Sequence, residues 1–148
     1  MPSTHTSLHY HLIFATKNRK AWLAPAWREQ LHEYLGGTVR GLDGHPQGVG
    51  GVADHVHLLV SLKATHCLAD FMRELKKASS TWVREAHRQP DFHWQEGYAA
   101  FTVSASALDS VRGYIARQEA HHQKEPFRNE LLAFLQKSGV EFDARYLD

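Results

Sequence analysis

Apolar residues recur along the chain in two distinct rhythms. Residues 8–14 alternate, with Leu8, Tyr10, Leu12 and Phe14 on one side and His9, His11 and Ile13 on the other. That period of two predicts a strand buried on at least one face. A polar loop follows, Lys17-Asn18-Arg19-Lys20. Helical spacing then takes over from Pro25, a residue well tolerated in a first turn. Trp27, Leu31, Tyr34, Leu35 and Val39 form the inner face, Gly36-Gly37 weakens the later part, and Gly41 to Gly44 ends it. Residues 48–53 and 55–62 read as two strands meeting near Asp54. In the second of them Val56, Leu58, Val60 and Leu62 point one way, and His55, His57, Leu59 and Ser61 the other.

A second helix is predicted from Leu68 to about Ala86, with Leu68, Phe71, Leu75, Ser79 and Trp82 along one side. Gly97 to Ser104 reads as a fourth strand and Leu108 to about Gln123 as a third helix. Pro126 to Lys137 makes a last amphipathic helix through Phe127, Leu131, Phe134 and Leu135, stopped by Gly139. The first six elements follow the split βαβ order. The expected class is α+β: a ferredoxin-like antiparallel sheet with helices on one face and additional C-terminal helices. The other sheet face is left for a site. With no repeat or long linker, residues 1–148 are expected to form one domain.

Composition narrows the function classes. Apolar types make up 43% of the 148 residues and charged types 22%, and 17 Lys+Arg against 16 Asp+Glu leave a net charge of +1. A polybasic tail and an acidic disordered chain are therefore excluded. An anionic partner has to be met by local charge. The candidates are Lys17, Arg19 and Lys20 in the first loop and Arg73, Lys76 and Lys77 on the second helix, although each also suits an ordinary solvated face. The single cysteine, Cys67, excludes a disulfide framework and a cysteine-rich zinc site. No apolar run is long enough to cross a bilayer, and the first residues lack the apolar core of a signal peptide, so a cytoplasmic location is expected. The outlier is histidine, with twelve residues.

Two patterns carry candidate chemistry. In Asp54-His55-Val56-His57-Leu58-Leu59-Val60 the histidines stand at i and i+2, project to one side about 7 Å apart at the backbone, and can converge on one divalent ion. The triplet also arises by chance in a histidine-rich chain, and His9-Tyr10-His11 repeats the spacing. The second pattern is Tyr114-Ile115-Ala116-Arg117-Gln118. On a helix Gln118 lies about 40° around from Tyr114 and one turn on. Leu108, Val111 and Ile115 mark the buried side, so hydroxyl and amide share a flank. A lone tyrosine there also serves to close a core edge. His121 falls near Tyr114 in angle and stays open; His122 falls within the apolar stripe and reads as structural.

Nearly the whole chain resembles the single-tyrosine HUH transposases of bacterial insertion sequences, including the REP-associated tyrosine transposases. The carriers are Tyr10-His11-Leu12-Ile13-Phe14-Ala15-Thr16-Lys17, the Asp54–Val60 stretch, Trp94-Gln95-Glu96-Gly97-Tyr98, Phe101-Thr102-Val103-Ser104, Tyr114 through His122, and Asp143-Ala144-Arg145-Tyr146-Leu147. The resemblance implies that His55, His57 and Gln118 are metal ligands, for Mg²⁺ or Mn²⁺, and that Tyr114 is the nucleophile. It further implies cleavage of single-stranded DNA beside a hairpin, a 5′-phosphotyrosine and a free 3′-hydroxyl. Family members work as homodimers in which one subunit's tyrosine helix serves the partner's histidine pair.

Those residue types suit that chemistry. A phenol with a pKa of about 10 is ionised to about one part in a thousand at pH 7, so it needs help. A divalent cation polarises the scissile phosphate, and two imidazoles with a neutral amide leave its charge intact. Two other readings carry different tests. A catalytically silent hairpin-binding module would bind without cutting. A metal-dependent phosphodiesterase using water would leave 5′-phosphate ends and no protein–DNA adduct.

Overall fold

The computed structural model describes residues 3–118, 126–143 and 145. Strand β1 (His9–Ala15) leads through a short 3-10 turn at Lys17–Arg19 into α1 (Pro25–Gly41). Strands β2 (His45–Gly51) and β3 (His55–Ser61) follow, then α2 (Leu68–Ala86) and β4 (Ala99–Val103). A second 3-10 turn at Ala105–Ala107 opens α3 (Leu108–Ala116), and α4 spans Phe127–Lys137. The four strands form one antiparallel sheet in the order β2-β3-β1-β4, as the ferredoxin-like reading requires.

The pleat divides the chain's chemistry between two faces. Leu12 pairs with Leu58 and Phe14 with Val56, and these side chains point toward α1 and α2. There they meet Leu31, Leu35, Phe71, Met72 and Leu75, all buried, in the larger apolar core. On the other face Ile13 pairs with His57 and Ala15 with His55. A smaller apolar cluster forms there from Ile13, Ala15 and Phe101 against Phe127 and Leu135 of α4. The additional C-terminal helices therefore cover the face the sequence left for a site.

Boundaries differ from expectation in three places. β2 begins at His45, three residues early, because an edge strand tolerates Pro46, and the register shifts between Pro46 and Gly48. β4 is trimmed to Ala99–Val103. The third helix, expected to reach about Gln123, closes at Ala116, where the Arg117 N–H bonds to the Gly113 and Tyr114 carbonyls. His121 and His122 lie outside the described residues.

Gly50 fixes the seat of α3 on the sheet. A Cβ there would stand 2.5 Å from the Ile115 carbonyl oxygen, closer than any real side chain comes, so α3 and β2 touch backbone to backbone. Gly50→Ala should push α3 outward and cost about 1–3 kcal/mol, the usual range for overpacking. Urea denaturation of the two proteins measures it. An unchanged midpoint would mean that α3 does not rest on β2 at this point.

Candidate metal and nucleophile site

Strand alternation fixes the first two groups. His55 and His57 sit on adjacent same-face positions of β3, next to the sheet centre, and both are fully buried. Their partners come from the two C-terminal helices. Glu130 of α4 is 3% exposed and Gln118, just beyond α3, is 1% exposed. Glu130 Oε1 stands 3.0 Å from His57 Nε2 and 3.5 Å from His55 Nε2. Gln118 Oε1 stands 3.4 Å from His55 Nε2, and its amide nitrogen donates to Glu130 Oε2 at 3.3 Å. The Tyr114 hydroxyl donates to that same Oε2. All three candidate groups of the sequence reading, the histidine pair, Gln118 and Tyr114, thus meet in one place within a single chain.

These donors fit a metal ion. Two ligands each about 2.1 Å from one ion stand about 3.0 Å apart at right angles and about 3.4 Å apart in a tetrahedron. The observed separations of 3.0, 3.4 and 3.5 Å fall at those values. His55, His57 and Glu130 each offer one atom within 4.8 Å of the others. Both imidazoles are also held from behind. His55 Nδ1 donates to Asp54 Oδ1 at 2.7 Å, and His57 Nδ1 shares a hydrogen bond with His11 Nε2 at 2.7 Å. Orienting partners of this kind fix ring direction and free the outward nitrogen for a ligand.

Burial and charge set the protonation states. Burial alone would lower the pKa of His55, yet hydrogen bonds and charge from Asp54 and Glu130 outweigh it and raise the value. Glu130 shows the converse: burial works to raise its pKa, but the two imidazoles pull it below the ordinary carboxylate value. His11 is pushed down to about 3, first by burial and then by His57, so it stays neutral.

Sequence reasoning missed Glu130 and set His11 aside as part of a repeated triplet. A signal for Glu130 exists. In α4 the apolar positions are Phe127, Leu131, Phe134 and Leu135, and Glu130 falls at i+3 from Phe127, inside the stripe. A carboxylate on an apolar face needs a buried partner. For His11 the signal was the alternation itself, which puts it on the same sheet face as His57.

The basic candidates divide by position. Arg19 lies over the Phe127 ring at 5.4 Å, and that ring stacks on His55 at 4.2 Å, so the loop carrying Lys17, Arg19 and Lys20 borders the site. Lys20 is held over Trp22 at 4.4 Å. Arg73, Lys76 and Lys77 ride on α2, which packs against the opposite sheet face. Arg73 pairs with Asp70 at 3.0 Å and Glu74 at 3.5 Å, and Lys77 is exposed. Lys76 instead ties α2 to the chain before β4, since its ammonium donates to the carbonyls of Gln95, Glu96 and Gly97 at 2.5, 3.1 and 2.9 Å. A cavity of about 370 Å³ opens beside the nucleophile candidate, walled by His11, Val111, Tyr114, Glu130, Phe134 and Lys137. Among the described residues no helix is long and apolar enough to cross a membrane.

Comparison with known proteins points the same way. Residues 4–118 match the family described as IS200-like transposases. The chain is 31% identical over 126 residues to the ISDra2 transposase TnpA of Deinococcus radiodurans, spanning 80% of this chain and 86% of that protein. The crystal structure of a candidate transposase from Deinococcus radiodurans R1, 28% identical, matches with a TM-score of 0.63 over 80% of this chain and 95% of that one. A REP-associated tyrosine transposase bound to a REP hairpin shares the fold, with a TM-score of 0.59 at 15% identity over 82% and 74% of the two chains.

His11 gives the site a pH signature. The unfolded chain binds a proton at this histidine below about pH 6.5, while the folded one refuses it until about pH 3. Stability is therefore lost as pH falls through that window, by about 2 kcal/mol between pH 7 and pH 5. His11→Asn should remove that share of the loss when both proteins are unfolded in urea with chelator present. Parallel pH dependences for the two proteins would show that His11 is not held neutral.

Proposed function

Because the chain belongs to the IS200-like transposase family, and is accordingly a DNA strand transferase, we propose that it nicks and rejoins single-stranded DNA at hairpin-bearing element ends through a 5′-phosphotyrosine at Tyr114. The observation that carries this reading is the position of the Tyr114 hydroxyl. It meets, through one shared carboxylate, the pair of imidazoles on β3, and its ring lies 5.8 Å from that of His57.

In this mechanism the chain's own groups do the positioning. His55, His57 and Gln118 would hold a divalent ion, Mg²⁺ or Mn²⁺, with Glu130 beside them. When bound there, such an ion supplies Lewis-acid polarisation of the scissile phosphate. The Tyr114 hydroxyl proton points at Glu130, which leaves the oxygen lone pairs directed elsewhere for attack on phosphorus. Glu130 Oε2 would accept the phenol proton as the tyrosine oxygen bonds to phosphorus, the P–O3′ bond would break, and the 3′-oxygen would take a proton from water to leave as the hydroxyl. One phosphodiester is exchanged for another, so the bond energy is kept and rejoining needs no ATP. The cavity beside Tyr114 falls within the size range of small-ligand sites and gives the strand a way to the hydroxyl. Lys17, Arg19 and Lys20 lie on the Phe127 side of the histidine pair, where Arg19 borders a second cavity, and would meet phosphates there, while Arg73 and Lys77 would extend the contact around the molecule.

The protein is further proposed to work in the cytoplasm as a homodimer, with residues 1–148 as one catalytic domain. Within one chain Tyr114 lies against that chain's own histidine pair; in the homodimer the sites are proposed to assemble in trans, each α3 presenting its tyrosine to the partner's pair. Residues Ala105-Ser106-Ala107 precede α3 and offer the small side chains suited to a connection that exchanges it between subunits.

Tyr114→Phe should abolish the covalent adduct, by on the order of 10³-fold or more, while hairpin binding persists, because the ring that packs is retained. Denaturing electrophoresis with labelled single-stranded hairpin DNA reads both strand and adduct. An adduct in the mutant would reassign the nucleophile.

Exchange between subunits is tested by mixing lesions. Tyr114→Phe has a sound histidine pair, and His57→Ala a sound nucleophile. If tyrosines serve the partner, a purified heterodimer of the two regains one intact site and cleavage returns. Cleavage is expected to return; a pure heterodimer that stays inactive, each site keeping one lesion, would overturn the trans assignment.

A further inference from the structure

We propose that Glu130 is a bridging residue that supplies the cation with its anionic ligand through Oε1 and positions the nucleophile through Oε2, so that cation binding and the docking of α4 are one event. This rests on the metal reading of the histidine pair and goes beyond it, because that reading needs no residue of α4.

The two carboxylate oxygens face different partners. Oε1 stands 3.0 Å from His57 Nε2 and 3.5 Å from His55 Nε2, the separations of donors that share one ion. Oε2 accepts from the Tyr114 hydroxyl and, at 3.3 Å, from the Gln118 amide. A single side chain therefore touches both imidazoles, the proposed neutral ligand and the proposed nucleophile. At 3% exposure the carboxylate has no bulk water to fall back on, and an anion in that place requires positive charge.

The helix behind Glu130 has a slender hold of its own. Phe127, Leu131, Phe134 and Leu135 rest on the small cluster around Ile13, Ala15 and Phe101, much less than the core under α1 and α2. Phe127 stacks on the His55 ring at 4.2 Å, and Phe134 meets the His11 ring at 5.1 Å and the Tyr114 ring at 5.8 Å. His55, His57 and Glu130 holding one ion between them would add a link between sheet and helix that this apolar contact lacks. Whatever fixes Glu130 also fixes the wall against which Tyr114 lies.

Two measurements on the 148-residue chain test this. The first is Mn²⁺ titration calorimetry of the wild type, Glu130→Gln and Glu130→Asp, each first shown to be folded by circular dichroism in chelator. Glu130→Gln keeps the shape and loses the charge. It should weaken Mn²⁺ binding tenfold or more, and Glu130→Asp should recover part of the loss. Single-turnover cleavage at saturating Mn²⁺ and hairpin should also slow in Glu130→Gln while hairpin affinity stays unchanged, the split expected when the nucleophile is misplaced. The second needs no variant: hydrogen exchange of α4 amides in the wild type should slow tenfold or more when Mn²⁺ is added. Mn²⁺ binding that Glu130→Gln leaves unchanged, or α4 exchange indifferent to Mn²⁺, overturns the inference alone. A wild type that binds no Mn²⁺ overturns the metal reading and this inference with it.

Discussion

Two imidazoles buried on one face of a sheet set a demand that the rest of the molecule has to meet. Each ring carries two nitrogens, and a polar group taken out of water without a partner costs on the order of 1–3 kcal/mol or more. All four are satisfied. His55 has Asp54 on one side and Gln118 with Glu130 on the other; His57 has His11 and Glu130. An ordinary apolar helix laid across this face would leave those nitrogens stranded. The elements that cover it must bring acceptors at the right heights, which is what Gln118 and Glu130 do. The polar contacts at this face therefore add to the Gly50–Ile115 and Phe127–Leu135 packing that seats the C-terminal helices, and they are the contacts that assemble the site.

The opposite face follows a simpler rule. Leu12, Phe14, Val56, Leu58 and Val60 meet the apolar faces of α1 and α2 with no buried charge among them. That core fixes the register of β1 against β3, and the register fixes how far apart the histidines stand. A one-residue slip would turn His55 and His57 into this core and Val56 outward. Stability and chemistry thus share a strand but not a face.

What the sequence made legible follows from this division. Period-two and period-3.6 patterns identified all four strands and the helices, since alternation and stripes are read locally, residue against neighbour. The same logic found His55 and His57 as a same-face pair, and the tyrosine motif placed Tyr114 and Gln118 together. Glu130 was not found because its importance comes from a partner 73 positions earlier in the chain, His57, which only the folded sheet brings near. His11 looked like a copy of the pair until pairing with β3 set it behind His57, where it supports a ring and stays neutral. The third helix, expected to run on to about Gln123, turns at Arg117, where the apolar stripe of Leu108, Val111 and Ile115 gives way to the polar run Arg117-Gln118-Glu119.

Charge balance explains why a cation belongs to the proposed chemistry and is more than an accessory. A scissile phosphodiester is an anion, and Glu130 places a second negative charge against Tyr114. At a few ångströms and in partly dehydrated surroundings, two such charges repel by several kcal/mol. Neutral imidazoles and an amide do not offset that. In the protein alone His55, with its raised pKa, can carry the compensating proton, but a protonated imidazole has no lone pair left on the side facing the substrate. His55, His57 and one Glu130 oxygen would hold a divalent ion through the lone pairs of two neutral imidazoles and a carboxylate, and such an ion would supply a net positive charge to the phosphate. On that reading the carboxylate, which alone would repel a phosphate, would instead be the group that helps hold the ion.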